Sequence, residues 1–201
     1  MPPLKIVQAG HPVLRSRART LAPNEIRSRA LQELIERMRE TMRDAPGVGL
    51  AAPQIGEPLQ LAVVEDREEY QRNVKEERLD LLERRPVPFH VLINPRITLI
   101  GGMAAARFFE GCLSVTGMIG LVPRALDVHV DALDERGEPV SIDAHGWHAR
   151  ILQHEIDHLA GVLCVDRMYT RTLMTQETYA QYWGNKSIEE VWDEIEPERS
   201  P

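Results

Sequence analysis

Between Asn24 and Arg43, apolar residues recur three and four apart, at Ile26, Ala30, Leu31, Leu34, Ile35, Met38 and Met42, with charges between them. That period puts them on one stripe and predicts an amphipathic helix near the N-terminus, with Asn24 as its N-cap after Pro23. The next stretch, APGVGLAAPQIGEP from Ala45 to Pro58, is too dense in Gly and Pro for a helix. It predicts a loop of small side chains whose backbone can lie close to a partner. A strand is expected from Leu59 to Glu65. Asp66 to Arg85 is dominated by charge and predicts a solvated excursion, helical in part around Leu79 to Leu82.

Strand-like runs follow at His90 to Ile93, Ile97 to Ile100 and Ala104 to Phe109, and Gly101 with Gly102 between the last two predicts a hairpin turn. From Ala125 to Leu133 the chain alternates. Leu126, Val128, Val130 and Ala132 point one way and Asp127, His129 and Asp131 the other, the pattern of a strand with one wet face. Glu135 to Glu138 reads as a turn and Pro139 to Ile142 as a return strand, after which the chain turns helical around Trp147. Strands mixed with two well-separated helices predict an α+β fold.

A chain of 201 residues fits one domain, since domains usually run to ~100–200 residues. Its net charge of -7 argues against a protein whose main affinity is for phosphate backbones, because those need clustered excess Lys and Arg. No segment approaches the ~18 consecutive apolar residues of a membrane span. The start, MPPLKIVQAGHPVLR, lacks the basic head and apolar run of a secretory signal. The expectation is a soluble protein that works where it is made, unless a targeting segment lies outside this sequence. Cys112 and Cys164 are too few for a disulfide scaffold and read as reduced thiols.

The most informative stretch is RILQHEIDHLAG, from Arg150 to Gly161. On a helix, Trp147, Ile151, His154 and His158 form one stripe with Leu152, Glu155 and Leu159 beside it, so both imidazoles lie on a core-facing surface. There they need hydrogen bonds or a metal, because unpaired polar nitrogens are costly to bury. In HExxH two ring nitrogens converge on one ion, and the Glu after the first His leans over the open coordination position, where it can move a proton. The third ligand has two candidates. Reading on through HEIDHLAGVLC reaches Cys164; far upstream, FFEGCLSV offers Cys112. Either gives two imidazoles and a thiolate with a fourth position open for water. Cys112 has the better setting: Gly111 relieves crowding, and the Leu113 N–H at a sharp turn can face a carbonyl oxygen that gains negative charge. Cys164, in GVLCV, reads as a buried strand or helix-exit residue.

Three segments together resemble the signature motifs of peptide deformylases, in order: GVGLAAPQIG at Gly47 to Gly56, EGCLSV at Glu110 to Val115, and QHEIDHL at Gln153 to Leu159. GHPVLR and GVLCVDR are similar to the family too, and the resemblance covers roughly residues 4–170. It implies a catalytic domain over 1–170, with mainly antiparallel β-sheets around a central HExxH-bearing helix, and a C-terminal extension over 171–201. It further implies removal of the formyl group from N-terminal formyl-methionine of newly made polypeptides. Carried over by position, Cys112, His154 and His158 hold the metal, and Glu155 is the general acid and base. Gln54 and the Leu113 N–H bind the formyl oxygen and stabilise the tetrahedral intermediate. Gly49, with Val48 and Gly47 of the same loop, lies at the substrate main chain. The cofactor implied is one divalent ion, Fe(II) in the family, with Zn, Ni or Co as replacements. The partners implied are formyl-methionyl N-termini of nascent chains, with transient ribosome proximity, no stable nucleic-acid binding and no membrane. The protein is expected as a monomer or homodimer, in bacterial cytoplasm or in an organelle matrix if eukaryotic.

The sequence departs from many bacterial members in two places. After EGCLS, where those carry a Pro-Glu segment and a substrate-placing Arg, this chain reads SVTGMIGLVPR. With HGWHARILQHE, that segment resembles the mitochondrial-type subgroup and leaves the side-chain pocket undefined. Arg150 either narrows the methionine pocket or points to solvent, the second being the default. The other departure is SIEEVWDEIEPERSP, from Ser187 to Pro201, which is acidic where some members end in a basic, ribosome-docking helix. Ile188, Val191, Trp192 and Ile195 fall at helical spacing, so this segment is expected to pack on the domain or on a second subunit. Two other readings stand beside the deformylase. An HExxH endopeptidase using Cys164 leaves EGCLS and the Gln54 loop without a role, and a deformylase-like binding module lacks turnover.

Overall fold

The computed structural model describes residues 2–72 and 74–195, with residues 101–105 as backbone only. Its strands are β1 (Gly49–Ala51), β2 (Leu61–Asp66), β3 (Val87–Cys112), β4 (Val115–Leu133), β5 (Pro139–His145) and β6 (Met174–Thr175). All pair antiparallel in the order β1-β2-β3-β4-β5, with β6 also on β4. The helices are α1 (Pro23–Ile26), α2 (Arg29–Asp44), α3 (Glu68–Gln71), α4 (Glu76–Leu81), α5 (Gly146–Leu159), α6 (Cys164–Arg167), α7 (Gln176–Thr178) and α8 (Ile188–Ile195). The architecture is a mixed α+β fold with a curled antiparallel sheet.

β2 explains the layering. Every one of its residues is buried, as a near-continuous apolar run requires when both faces of a strand are covered. Leu61 and Val63 point to one face, where they meet Leu31, Ile35, Met38 and Met42 of α2. Ala62 and Val64 point to the other, where they meet Ala149, Ile151, Leu152 and Leu159 of α5. Each large apolar side chain buried this way contributes about 1.5–3 kcal/mol. The small residues on the α5 side let that helix lie close against β1 and β2, near the end of the β3–β4 hairpin.

The N-terminal helical region differs from expectation at its start. Pro23 to Ile26 form a separate turn, α1, and α2 begins after Ser28, whose backbone is extended and whose hydroxyl accepts the Leu31 N–H at 3.2 Å. Ser28, not Asn24, caps the long helix, because its oxygen satisfies a first-turn N–H that nothing else reaches.

Gly101 and Gly102 do not form a hairpin turn. They lie inside β3, and the runs on either side pair with the same partner: Ile100 with Asp127 and Ala105 with Ala125 of β4. The register of β3 on β4 shifts between Ile100 and Ala105. The true hairpin turn comes at Leu113 and Ser114, with Cys112 opposite Val115. The turn after β4 falls where expected, with Gly137 at φ +83°.

The charged excursion carries the short helices α3 and α4. At the other end, α8 buries Val191 and sets Trp192 against Tyr169, ring centroids 4.6 Å apart, under the Arg107 guanidinium at 4.2 Å. Residues 196–201 of the acidic C-terminal segment lie outside the described residues. Among the described residues, no helix is long and apolar enough to cross a membrane.

Candidate metal centre

The tip of the β3–β4 hairpin brings Cys112 to the face of α5. A register shift between Gly111 and Cys112 turns the strand end, and the Ser114 N–H donates to Cys112 Sγ at 3.4 Å. On α5, His154 and His158 present their rings one turn apart, centroids 5.0 Å. Cys112 Sγ lies 3.3 Å from His158 Nε2. One donor atom from each of Cys112, His154 and His158 lies within 4.8 Å of the other two. A thiol sulfur and two imidazole nitrogens this close, on a buried surface, fit one soft or borderline divalent ion.

The imidazoles are prepared for that role. His154 Nδ1 faces Glu110 Oε2 at 3.2 Å. The carboxylate accepts, so a proton sits on Nδ1 and Nε2 is the nitrogen that can turn to an ion. Burial opposes a charge on His154, but the Glu110 hydrogen bond outweighs it and raises the His154 pKa to about 9, so an ion would displace a proton from Nε2. Burial opposes the charge on Glu110, but hydrogen bonds from His154 and Arg124 outweigh it and hold its pKa down at about 2. Burial pushes His158 well below the usual imidazole range, keeping it neutral.

Beneath these residues runs a continuous ionic chain. Arg124 donates to both Glu110 oxygens at 2.9 Å and to Asp157 Oδ2 at 2.6 Å, and Arg167 donates to both Asp157 oxygens at 2.7 and 2.6 Å. Arg124 is 3% exposed. It is the residue the sequence reading passed over, although a lone arginine within LVPRAL is a signal, since a charge in a buried strand needs partners.

Gln54 comes from a single 3-10 turn after β1 (Ala52–Ile55). Its Oε1 accepts the Ala51 N–H at 2.8 Å, which turns the amide nitrogen toward Cys112 Sγ at 3.6 Å and Ser114 Oγ at 3.4 Å. Glu155 is 3% exposed, and its Oε2 has no hydrogen-bond partner. Burial raises its pKa to about 7. Gly49 is what admits it: a Cβ there would stand 2.2 Å from Glu155 Oε1. Gly47 is likewise tight against Leu113, whose Cδ1 would lie 3.0 Å from an added Cβ.

Gly47, Val48, Gly49, Gln54, Cys112, Leu113, His154 and Glu155 all line one cavity of about 410 Å³. His158, 1% exposed, lies behind them. Cys164 sits at the first turn of α6, 2% exposed and outside the three-donor group. A larger groove of about 800 Å³, bordered by His90, His145 and His148, lies elsewhere on the surface; among the described residues no group of three metal donors lies in it.

The cavity lining also holds cationic and aromatic residues, Arg84, Phe109, Trp147 and Arg150. Trp147 is stacked between the guanidinium groups of Arg84 at 4.5 Å and Arg150 at 4.8 Å. Arg150 also covers the Phe108 ring at 3.9 Å and donates to the Phe109 carbonyl at 3.1 Å. It therefore does not point to solvent as expected; two aromatic faces and a strand-end carbonyl draw it inward. Burial lowers its pKa to about 10, which leaves it a cation at neutral pH. Arg84 is fixed by a two-point ion pair with the buried Asp66, at 2.7 and 2.9 Å. The charged excursion thus contributes a residue to the cavity.

The sequence profile of the polypeptide deformylase family matches residues 3–173. Peptide deformylase 1A, chloroplastic, of Solanum lycopersicum is 49% identical over 172 residues; that match takes in 86% of this chain but only 62% of the tomato protein, so the chain spans about three fifths of that relative. Peptide deformylase 1 of Bifidobacterium longum (strain NCC 2705) is 48% identical over 181 residues, 90% of this chain and 79% of the relative. The fold superposes on the Met-Ala-Ser-bound crystal structure of class I type b peptide deformylase from Acinetobacter baumannii with a TM-score of 0.73, at 32% identity, covering 83% of this chain and 99% of that one. On motif, profile and fold together, the chain belongs to the peptide deformylase family.

Proposed function

We propose that this protein removes the formyl group from the N-terminal formyl-methionine of newly made polypeptides, using one divalent metal ion. The observation that carries the reading is the convergence of Cys112, His154 and His158 in a cavity that also holds the buried Glu155 carboxylate and the Gln54 amide. Cys112, His154 and His158 would hold the ion, which when bound supplies a polarising charge to water and to the formyl carbonyl. The family resemblance favours Fe(II), with Zn, Ni or Co able to take its place.

Each remaining residue then has a task. Glu155, with a pKa near neutrality because of burial, takes a proton from the attacking water and returns it to the departing amine nitrogen. The Gln54 amide, anchored through its oxygen, and the Leu113 N–H donate to the oxygen on which charge develops. Gly47, Val48 and Gly49 border the peptide main chain, and Gly49 also makes room for Glu155. The product is a peptide with a free N-terminal methionine, the kind of molecule bound by the Acinetobacter baumannii relative.

In this reading the catalytic unit ends near residue 170, and 171–201 is an extension. Trp192 on Tyr169 supports its packing on the same chain. The setting is bacterial cytoplasm, or an organelle matrix if the source is eukaryotic, with transient proximity to the ribosome and a monomer or homodimer as the working form.

The test is anaerobic hydrolysis of a short formyl-Met peptide by iron- or nickel-loaded protein, with unformylated and N-acetylated peptides as controls. Formate is expected from the formylated peptide alone. Glu155→Gln should keep its metal and lose about 10²–10⁴-fold in turnover. Normal turnover by that variant, or internal cleavage of the peptide, overturns the reading.

A further inference from the structure

The cavity reaches past residue 170. Gln176, at the start of α7, is one of its lining residues, and the chain arrives there along β4. The Tyr169 N–H donates to the Leu121 carbonyl at 2.9 Å, and the Leu121 N–H donates to the buried Thr172 hydroxyl at 2.8 Å. β6 then pairs with β4, Met174 opposite Ile119 and Thr175 opposite Met118, and Ile119 is also the partner of Gly111 on β3. After Gln176, the Tyr179 ring packs on Phe109 of the cavity lining, centroids 4.5 Å apart, and its hydroxyl accepts from Arg78 at 2.7 Å. Strand pairing before Gln176 and ring packing after it therefore fix its place.

What these contacts hold is an amide without a partner. Among the described residues no group is hydrogen-bonded to the Gln176 carboxamide. It stands over Gly111, where an added Cβ would lie 3.3 Å from Gln176 Nε2. Of the cavity lining, Pro46, Gly111 and Gln176 are exposed, whereas Gln54 and Glu155 are buried. Gln176 alone of those three carries a polar side chain. A substrate whose formyl group reaches the buried residues leaves the cavity by its exposed part, so the chain beyond the methionine passes Gln176. A carboxamide both donates and accepts, as a peptide unit does. It can pair with a main chain of any sequence, which suits an enzyme acting on many different N-termini.

We propose, on the deformylase reading, that Gln176 is a substrate-binding residue whose carboxamide hydrogen-bonds the peptide main chain just beyond the formyl-methionine. The first part of the C-terminal extension then belongs to the site, and a substrate that stops at methionine does not touch it.

The test takes the full-length metal-loaded protein and the variants Gln176→Ala and Gln176→Glu, each first checked for native melting and metal content. Formate release would be followed on formyl-Met amide and on formyl-Met tripeptides with Ala, Ser, Glu or Lys after the methionine. Gln176→Ala is expected to raise KM for the tripeptides about 2- to 10-fold, the loss of one hydrogen bond, at nearly constant kcat and by the same factor whatever the second side chain. Its KM for formyl-Met amide should equal that of wild type. Gln176→Glu, which keeps an acceptor and loses the donor, should lie between the two. Calorimetry with the product-like peptide Met-Ala-Ser reads the same contact without turnover, and Gln176→Ala should weaken that binding by the same factor. A penalty that also falls on formyl-Met amide, or that follows the second side chain, overturns the proposal, as does unchanged tripeptide KM. If wild type releases no formate, the deformylase reading fails by itself, and calorimetry then decides the role of Gln176: equal affinity of wild type and Gln176→Ala, or no binding by either, overturns it.

Discussion

The two buried arginines near the donor residues are held on opposite principles. On the donor side, every carboxylate oxygen of Glu110 and Asp157 accepts a hydrogen bond from Arg124, Arg167 or His154. One helical turn before His154, Arg150 is equally buried but leaves Nε and Nη1 without a hydrogen-bond partner, with Nε 4.0 Å from Glu110 Oε1, and rests on Phe108 and Trp147. A closed ionic network fixes geometry, because moving one member leaves a buried charge unpaired. Stacking on ring faces tolerates sliding and sets shape more than position. Rigidity is thus placed under the clustered donors, and adaptability is left around Arg150.

Four substitutions, in falling order of effect, would break or sharpen this contrast. Arg124→Met should destabilise the fold by about 3–5 kcal/mol, measured by urea unfolding. Because Glu110 then orients His154 less firmly, metal affinity should also fall about 10–100-fold. Gly49→Ala forces Glu155 out of its place, and turnover of a formyl-Met peptide should fall about 10²-fold with metal content unchanged; parallel loss of metal would mean the loop, not the carboxylate, had moved. Arg150→Met gives up about 0.5–2 kcal/mol of ring contact while removing two unpartnered N–H groups, so stability should change by less than about 1 kcal/mol. Its signature is a shift in KM for peptides with altered first side chains, at nearly constant kcat. A stability loss as large as that of Arg124→Met would show the two arginines to be held alike. Arg29→Ala, at an exposed pair whose side chains are 92% and 55% accessible, sets the floor, within about 0.5 kcal/mol of wild type.

What could be read from the sequence divides along the same line. The spacing of Leu31, Ile35, Met38 and Met42 and the alternation through Val128, Val130 and Ala132 are local patterns, and those residues are buried. The donor residues sit in short motifs whose internal spacing carries their chemistry. Pairings across long stretches were not legible. Nothing near Arg150 announces Phe108 as its platform, and nothing near Arg84 announces Asp66 or Trp147. The hairpin expected at Gly101 and Gly102 was misread for the same reason, since only the shared partner strand shows the runs on either side to be one strand and not two. Ser28 was missed because two capping residues stood close together, and the choice between them was made by the turn at Pro23 to Ile26.

Cys112 and His158 meet across 46 positions of the chain. During synthesis, Cys112 leaves the ribosome well before α5 exists, and an ion could then find only a lone thiol on an unfinished hairpin. With Cys112, His154 and His158 as the proposed ligands, the complete grip would form only once α5 has emerged and docked on β1 and β2, so metal capture would come late and mark the arrival of the native state. An ion that binds only the finished form also holds it there by mass action, and the margin of that stabilisation is set by how much free metal surrounds the newborn chain.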